Sequence, residues 1–163
     1  MTSEEAATES TGPGKTASDI MTPNPVTIAP DGTVTEAARL MVDRRVGALP
    51  VLDGGKLVGI VTEGDLIMQD VKLEFPTYIH LLDGIIMYPP ATARFEDELR
   101  KAVAASVGDV MTRDVITVQT NTSVEDVATL FVERHVSRIP VLDQDALVGI
   151  VSKSDVVRSL VEG

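Results

Sequence analysis

The sequence predicts an α+β fold in which two copies of one β-α-β-β-α unit pack about a pseudo-twofold axis as a single module. Residues 19–66 align without a gap to residues 109–156, at a constant offset of 90, and 20 of the 48 pairs are identical. Such self-similarity is the signature of a repeated supersecondary unit. One copy of roughly 50 residues would be marginally stable alone, so we expect the two copies to bury each other's apolar sheet faces.

Each copy begins with a short extended segment and continues into a helix. The segments 26–28 and 116–118 are rich in β-branched residues and are followed by turn residues, which favours short strands. Thr33 and Ser123 then precede an acidic residue by three positions, the spacing of a capping box. Apolar residues recur behind each cap with helical periodicity, so one helix face should pack on the sheet.

A β-hairpin and a short second helix complete each copy. The hairpins are predicted from about Ala48 to Val61 and from about Arg138 to Val151. Both consist of an apolar run that contains a proline, an acidic turn, and a second apolar run that ends in Gly-Ile-Val.

The repeat divides the chain of 163 residues into four segments. They are a flexible N-terminal tail (1–16), the first copy (17–70), an insert (71–105) and the second copy (106–163). The insert has an apolar first part and a predicted amphipathic helix from Arg94 to Val107. It is either a helical linker that packs on its own module or an exposed surface for a dimer or another partner.

Composition excludes several classes of function. The formal net charge is −11 and no basic block interrupts it, so nucleic acid is not an expected partner. The absence of cysteine excludes disulfides and thiolate metal sites. No apolar stretch approaches the roughly 20 residues that span a bilayer, and the N-terminus is acidic where a secretory signal is basic. We therefore expect a cytoplasmic protein without a membrane partner.

Catalysis is not expected from the motifs. His80 and His135 lie 55 positions apart, and the chain has no metalloprotease-type histidine pair, no glycine-rich phosphate loop and no Gly-x-Ser-x-Gly elbow. The sequence thus predicts neither an enzyme nor a metal site.

A hydroxyl residue and a carboxylate follow each hairpin at the same spacing. These pairs are Thr62 with Asp65, and Ser152 with Asp155. The spacing is that of an ordinary capping box, which would only start the next helix. An ionised carboxylate can also accept hydrogen bonds from both hydroxyls of a ribose. The two roles do not exclude each other, and both remain open.

These motifs together resemble a tandem pair of CBS domains, the regulatory module named after cystathionine β-synthase. The resemblance rests on Asp-Ile-Met-Thr, the extended segment, the capped helix, Leu-Pro-Val-Leu-Asp and the ending Gly-Ile-Val-Thr-x-x-Asp. It implies a stand-alone, energy-sensing module that binds AMP, ADP, ATP or S-adenosylmethionine in two clefts between the copies. It also implies a homodimer that signals to an unidentified effector protein. No cofactor is expected, and Mg²⁺ would arrive only with a nucleotide.

The same resemblance implies the residues of both clefts. The first would contain Thr62, Asp65, Ile116, Thr117, Val136, Ser137 and Arg138, and the second Ser152, Asp155, Val26, Thr27, Val46, Gly47 and Ala48. The planar fork of Arg138 suits phosphate, whereas its counterpart is Ala48. We therefore expect the first cleft to bind phosphate better, and the second to take a less negative ligand or stay empty. Alternatively, Arg138 is a surface residue paired with a nearby acid.

A function of another class is also compatible with the sequence. In it, the chain is a ligand-free dimerisation or protein-interaction module that uses the insert and the acidic surface.

Overall fold

The computed structural model describes residues 14–72 and 105–162. Within them the chain forms six helices and six strands, so the architecture is mixed α+β. In chain order they are α1 (Ala17–Ile20), β1 (Thr22–Pro23), α2 (Val34–Arg44), β2 (Ala48–Asp53), β3 (Lys56–Thr62), α3 (Glu63–Lys72), α4 (Val107–Val110), β4 (Val118–Gln119), α5 (Val124–Arg134), β5 (Arg138–Asp143), β6 (Ala146–Ser152) and α6 (Lys153–Val161).

The capped helices of the two copies begin where the sequence predicts. The Thr33 hydroxyl accepts a hydrogen bond from the Glu36 N–H at 3.0 Å, and the Glu36 carboxylate accepts from the Thr33 N–H at 2.9 Å. In the second copy the Ser123 hydroxyl accepts from the Asp126 N–H at 3.1 Å. Each bond satisfies a backbone group that would otherwise have no partner in the first helical turn.

Both hairpins are confirmed, and they share one register. β2 pairs with β3 and β5 with β6, each antiparallel, with a register shift at equivalent places, Val51/Leu52 and Val141/Leu142. The hairpins belong to different sheets. One sheet has the strand order β1-β6-β5-β4, and β2 and β3 form the other.

The predicted early strand is shorter in the first copy than in the second. β4 runs parallel to β5, and the Thr120 N–H extends the ladder by donating to Leu142 O at 3.0 Å. In the first copy only Ile28 forms a parallel bridge, to Val51. The residue equivalent to Thr120 is Pro30, which has no N–H and therefore cannot continue the ladder.

An exchange of segments between the copies was not predicted from the sequence. β1, from the first copy, pairs antiparallel with β6 of the second, with Thr22 opposite Ile150. Reciprocally, Thr112 of the second copy bridges Ile60 of the first, with N–H to O distances of 3.0 and 2.9 Å. The two contacts are related by the 90-residue offset, so they obey the pseudo-twofold symmetry.

The one-turn helices α1 and α4 dock reciprocally on the opposite copy. The Ala17 N–H donates to Thr122 O, and the Val107 N–H donates to Gly32 O, both at 2.7 Å. The Asp19 carboxylate accepts hydrogen bonds from the Thr16 N–H and from the Thr16 hydroxyl. These bonds, the first more than the second, keep the pKa of Asp19 below its ordinary value of 3.8. The Asp19 carboxylate is therefore ionised near neutral pH.

Each of the two apolar cores contains side chains from both copies. Val107 and Met111 of the second copy complete the core of the first, and Ala17 completes the core of the second. The remaining buried members are Ala37, Met41, Leu49, Val51 and Val61 in one core, and Val118, Val127, Phe131, Ile139, Val141 and Val151 in the other. Neither core is closed by a single copy.

Part of the predicted insert lies outside the described residues, as does most of the predicted tail. The predicted helix from Arg94 was expected to end at Val107, and this end is wrong. Ser106 has extended backbone dihedral angles and precedes a separate helix, α4. In the parts of the chain that the structure describes, no helix is long and apolar enough to cross a bilayer, and no three His, Asp or Glu side chains are close enough to hold a metal ion.

Two glycines make room for methionines from the opposite copy. A Cβ added at Gly59 would lie 2.9 Å from Cγ of Met111, and one added at Gly149 would lie 2.8 Å from Cγ of Met21. Both separations are too short for carbon atoms, so any side chain at these positions must displace the methionine.

We predict that Gly59→Ala and Gly149→Ala each lower the free energy of unfolding by about 1–3 kcal/mol, because each overpacks a contact between the copies. Denaturant unfolding measures the change. Gly64→Ala is the control, since its new Cβ would meet Thr62 Oγ1 at an ordinary 3.6 Å. Equal stability of Gly149→Ala and Gly64→Ala would contradict the prediction.

Candidate functional site

Both hydroxyl-carboxylate pairs form capping boxes. The Ser152 N–H and hydroxyl donate to Oδ2 of Asp155 at 2.7 and 2.8 Å, and the Asp155 N–H donates to the Ser152 hydroxyl at 3.2 Å. Thr62 and Asp65 repeat this geometry, with the two bonds to Oδ2 at 2.9 and 3.1 Å. The capping role of both pairs is therefore confirmed, and all four residues are half-buried.

Capping occupies only one oxygen of each carboxylate. Oδ1 of Asp155 instead lies 3.4 Å from a guanidinium nitrogen of Arg158, whose side chain is 60% exposed while that of Asp155 is 11% exposed. The equivalent residue in the first copy is Met68, which cannot form an ion pair. A carboxylate oxygen that the cap does not use is what a ribose diol requires, so capping and ligand binding are compatible.

A cavity of about 390 Å³ lies beside Ser152 and Asp155, and both copies line it. Its volume falls within the range of small-molecule sites. The structure brings six of the seven residues predicted for the second cleft together around this cavity. They are Ser152, Asp155, Val26, Val46, Gly47 and Ala48; Thr27 is not among the lining residues.

Three arginines, Arg44, Arg45 and Arg138, are among the residues that line the cavity, and Asp155 is the only acidic residue among them. The cavity is thus locally cationic on a chain of formal net charge −11. Arg44 and Arg45 were not assigned to this cleft from the sequence. Their position directly before Val46 was the available signal, because Val46 was already assigned to this cleft.

Unusual backbone conformations lie at the cavity wall. Arg45 follows α2 in the left-handed region, with φ 54° and ψ 46°, and its N–H donates to carbonyls of the last helical turns. Asn24, which also lines the cavity, has φ 50°. Residues other than glycine adopt this conformation at a cost of about 1–3 kcal/mol, and such positions cluster at functional sites.

Arg138, which was assigned to the first cleft from the sequence, lines the second cavity. β5 pairs with β6 so that Arg138 stands opposite Ser152, which brings its half-buried side chain beside the Ser152–Asp155 pair. One of its nitrogens donates to Ser137 O at 2.8 Å, and the other is 3.3 Å from the Cβ position of Gly47. Ala48, its pseudo-twofold equivalent, lines the same cavity, so both residues lie close to the axis.

This placement removes the reason for expecting the first cleft to be the better phosphate binder, because Arg138 lines the second cavity. The residues equivalent to Asn24 and Arg45 in the first cleft are Asp114 and His135. That cleft would therefore have one more carboxylate and one fewer permanent cation. The grouping of Thr62 and Asp65 with Ile116, Thr117, Val136 and Ser137 stays a prediction.

Comparisons with known proteins agree with the duplicated fold. The sequence model of the CBS domain matches residues 17–71 and 107–162. The uncharacterized protein MJ1426 of Methanocaldococcus jannaschii is 31% identical over 151 residues, which cover 88% of this chain and 89% of that protein.

Two solved structures are also similar to this chain. CBSX2 in complex with AMP is 30% identical, has a TM-score of 0.69, and is matched over 91% of this chain and 98% of that chain. The domain pair of protein MJ0100, in complex with 5′-methylthioadenosine and S-adenosyl-L-methionine, is 25% identical with a TM-score of 0.70, over 92% of this chain and 98% of that chain.

Proposed function

Because this chain belongs to the CBS domain family and contains two copies of the domain, we propose that it is a regulatory module that binds an adenosine-containing ligand between the copies. The observation that carries the proposal is the cavity beside Asp155, which is lined by one acidic residue and three arginines and receives residues from both copies. A ligand there contacts both copies at once, so its binding stabilises one arrangement of the two.

Each part of an adenosine nucleotide finds suitable chemistry in the cavity. Asp155 offers Oδ1 to the ribose hydroxyls through charge-assisted hydrogen bonds. Val26, Val46 and Ile150 provide apolar surface for a purine ring. The guanidinium groups suit phosphate, because their forked donors match its oxygens.

The ligands of the similar structures support adenosine as the common part. CBSX2 was solved with AMP, and the MJ0100 pair with 5′-methylthioadenosine and S-adenosyl-L-methionine. For this chain the cationic cavity favours AMP, ADP or ATP, since a sulfonium group would be repelled by the arginines. We propose the cleft of Thr62 and Asp65 as a second, weaker site.

Exposed apolar residues support a homodimer as the signalling unit. Val42 and Val132, at equivalent positions of α2 and α5, are 75% and 74% exposed, and Leu160 and Val161 on α6 are 76% and 83% exposed. Because Val42 and Val132 are equivalent positions of the two copies and are exposed alike, these two residues suit a second copy of the same chain related by a twofold axis. A change at this interface on nucleotide binding would pass the signal to an effector protein.

We predict that AMP, ADP or ATP raises the melting midpoint of the protein, because a ligand at one hundred times its Kd adds about 2.7 kcal/mol to the stability of the native state. Asp155→Asn should abolish most of this response while keeping the cap, since the amide oxygen still accepts from Ser152. A thermal-shift screen that includes S-adenosylmethionine measures both.

The matched control for Asp155→Asn is Asp109→Asn. Asp109 also accepts capping bonds, from Ser106 at 3.2 and 2.9 Å, but it does not line the cavity. This variant should keep the nucleotide response. If no adenosine compound shifts the wild-type midpoint, the proposal is wrong, and the ligand-free interaction module becomes the better account.

We predict that Arg158→Met, which introduces the residue of the first copy, tightens adenosine binding about two- to fivefold. The exposed ion pair between Arg158 and Oδ1 of Asp155 contributes about 0.2–1 kcal/mol, which a ligand must give up in order to bind that oxygen. Without the ion pair, Oδ1 is available to the ribose hydroxyls at no such cost. Titration calorimetry with adenosine, which has no phosphate for Arg158 to contact, isolates the effect. Weaker adenosine binding in this variant would show that Arg158 contributes to the site instead.

We predict that Leu160→Glu converts the homodimer to a monomer in sedimentation equilibrium, because a carboxylate would be buried without a partner at the interface. Leu160 is exposed in the single chain, so the monomer should stay folded, and its melting midpoint should fall only by the stability that association contributed. Lys56→Glu at the turn of the first hairpin serves as the control and should remain dimeric. A wild-type monomer at high protein concentration would refute the dimer.

A further inference from the structure

We infer that Arg45 is the residue that makes the second cavity select phosphate-bearing ligands over uncharged or cationic adenosine compounds. This inference rests on the proposed function and assigns its specificity to one side chain. It follows from a comparison of the three arginines around the cavity. Arg138 lies near the pseudo-twofold axis and Arg44 serves the end of a helix, whereas Arg45 has neither explanation.

Arg138 does not distinguish the two clefts, because it lies close to the pseudo-twofold axis. Its pseudo-twofold equivalent, Ala48, lines the same cavity. One guanidinium nitrogen of Arg138 donates a hydrogen bond to Ser137 O. The other nitrogen and the Glu63 carboxylate both lie beside Gly47, each 3.3 Å from the point where a Cβ on that glycine would be. Its charge is therefore shared among several neighbours and is only partly available to a ligand.

Arg44 has a sufficient structural reason for its presence. It is the last residue of α2, where a cation interacts favourably with the helix dipole and the final carbonyl groups. Its equivalent in the second copy is the identical residue Arg134, at the same position of α5. The identical pair indicates that a cation here serves the helix end in both copies.

Arg45 differs from both, because the fold itself does not require an arginine there. The equivalent residue is His135, which has nearly the same left-handed backbone, with φ 53° against 54°. A left-handed residue after a helix is most often glycine, which adopts this conformation without strain. The backbone conformation therefore does not explain an arginine at position 45, whereas the cavity that this residue lines gives its positive charge a use.

The guanidinium of Arg45 supplies what a phosphate chain needs. It is positively charged throughout the physiological pH range and can donate two parallel hydrogen bonds to phosphate oxygens. An uncharged nucleoside gains nothing from this group, and a sulfonium compound is repelled by it. The preference of the cavity should therefore rise along the series adenosine, AMP and ADP.

Arg45→Gly separates this role from a structural one, because glycine removes both the charge and the backbone strain. The variant should melt at the same temperature as wild type or higher. In calorimetric titrations at fixed salt, its adenosine affinity should stay within about twofold of wild type, while its ADP affinity falls at least about tenfold, the loss expected for a charge-assisted bond. Arg45→Lys should recover part of the ADP affinity.

His135→Gly is the matched control, since it relieves the same backbone conformation in the other copy. It should raise or preserve the melting midpoint and leave the ADP-to-adenosine ratio in the second cavity unchanged. Equal losses of adenosine and ADP affinity in Arg45→Gly would overturn the inference and indicate a structural residue. An unchanged ratio in that variant would overturn it as well, although nucleotide binding itself would still stand. Failure of wild type to bind any adenosine compound would instead refute the proposed function.

Discussion

The reciprocal exchange of N-terminal segments is the constraint on which the rest of the structure depends. Each copy gives the other a short backbone pairing, with Thr22 opposite Ile150 and Thr112 opposite Ile60, and a few side chains that close its core. The copies are therefore parts of one folding unit, not separate domains in contact. Since Thr22 also lines the cavity beside Asp155, the pairing that joins the copies also builds a wall of the proposed ligand site.

In the proposed site, the two oxygens of the Asp155 carboxylate have different roles. Oδ2 of Asp155 is committed to the start of α6, while Oδ1 is free of the cap and faces Arg158. A rigid cap holds the acid in a fixed orientation, which reduces the ordering that a ligand must impose. The arginines around it concentrate positive charge in one cleft of an acidic protein, so an anionic ligand is attracted there while the remaining surface repels it.

The two copies have the same fold, but the residues around the cavity of Asp155 differ chemically from their equivalents in the other copy. Two residues that line the second cavity have equivalents of different charge: Asn24 corresponds to Asp114, and Arg45 corresponds to His135. The residues that form the hairpins are largely identical in the two copies. Substitutions at a cleft wall cost little stability, because these side chains are exposed or half-buried. Duplication thus allows one fold to carry different charges at equivalent positions of its two copies.

The sequence by itself determined the local structure: the caps at Thr33 and Ser123, both hairpins, and the duplicated unit, because each depends on residues within a few positions of one another. It also indicated Asp155 as a ligand residue through the resemblance to a family. Only the tertiary structure decided that Thr22 pairs with Ile150 and that Arg45 reaches the cavity of Asp155. These contacts join segments more than a hundred positions apart, and no local periodicity or spacing records which distant segment will pack there.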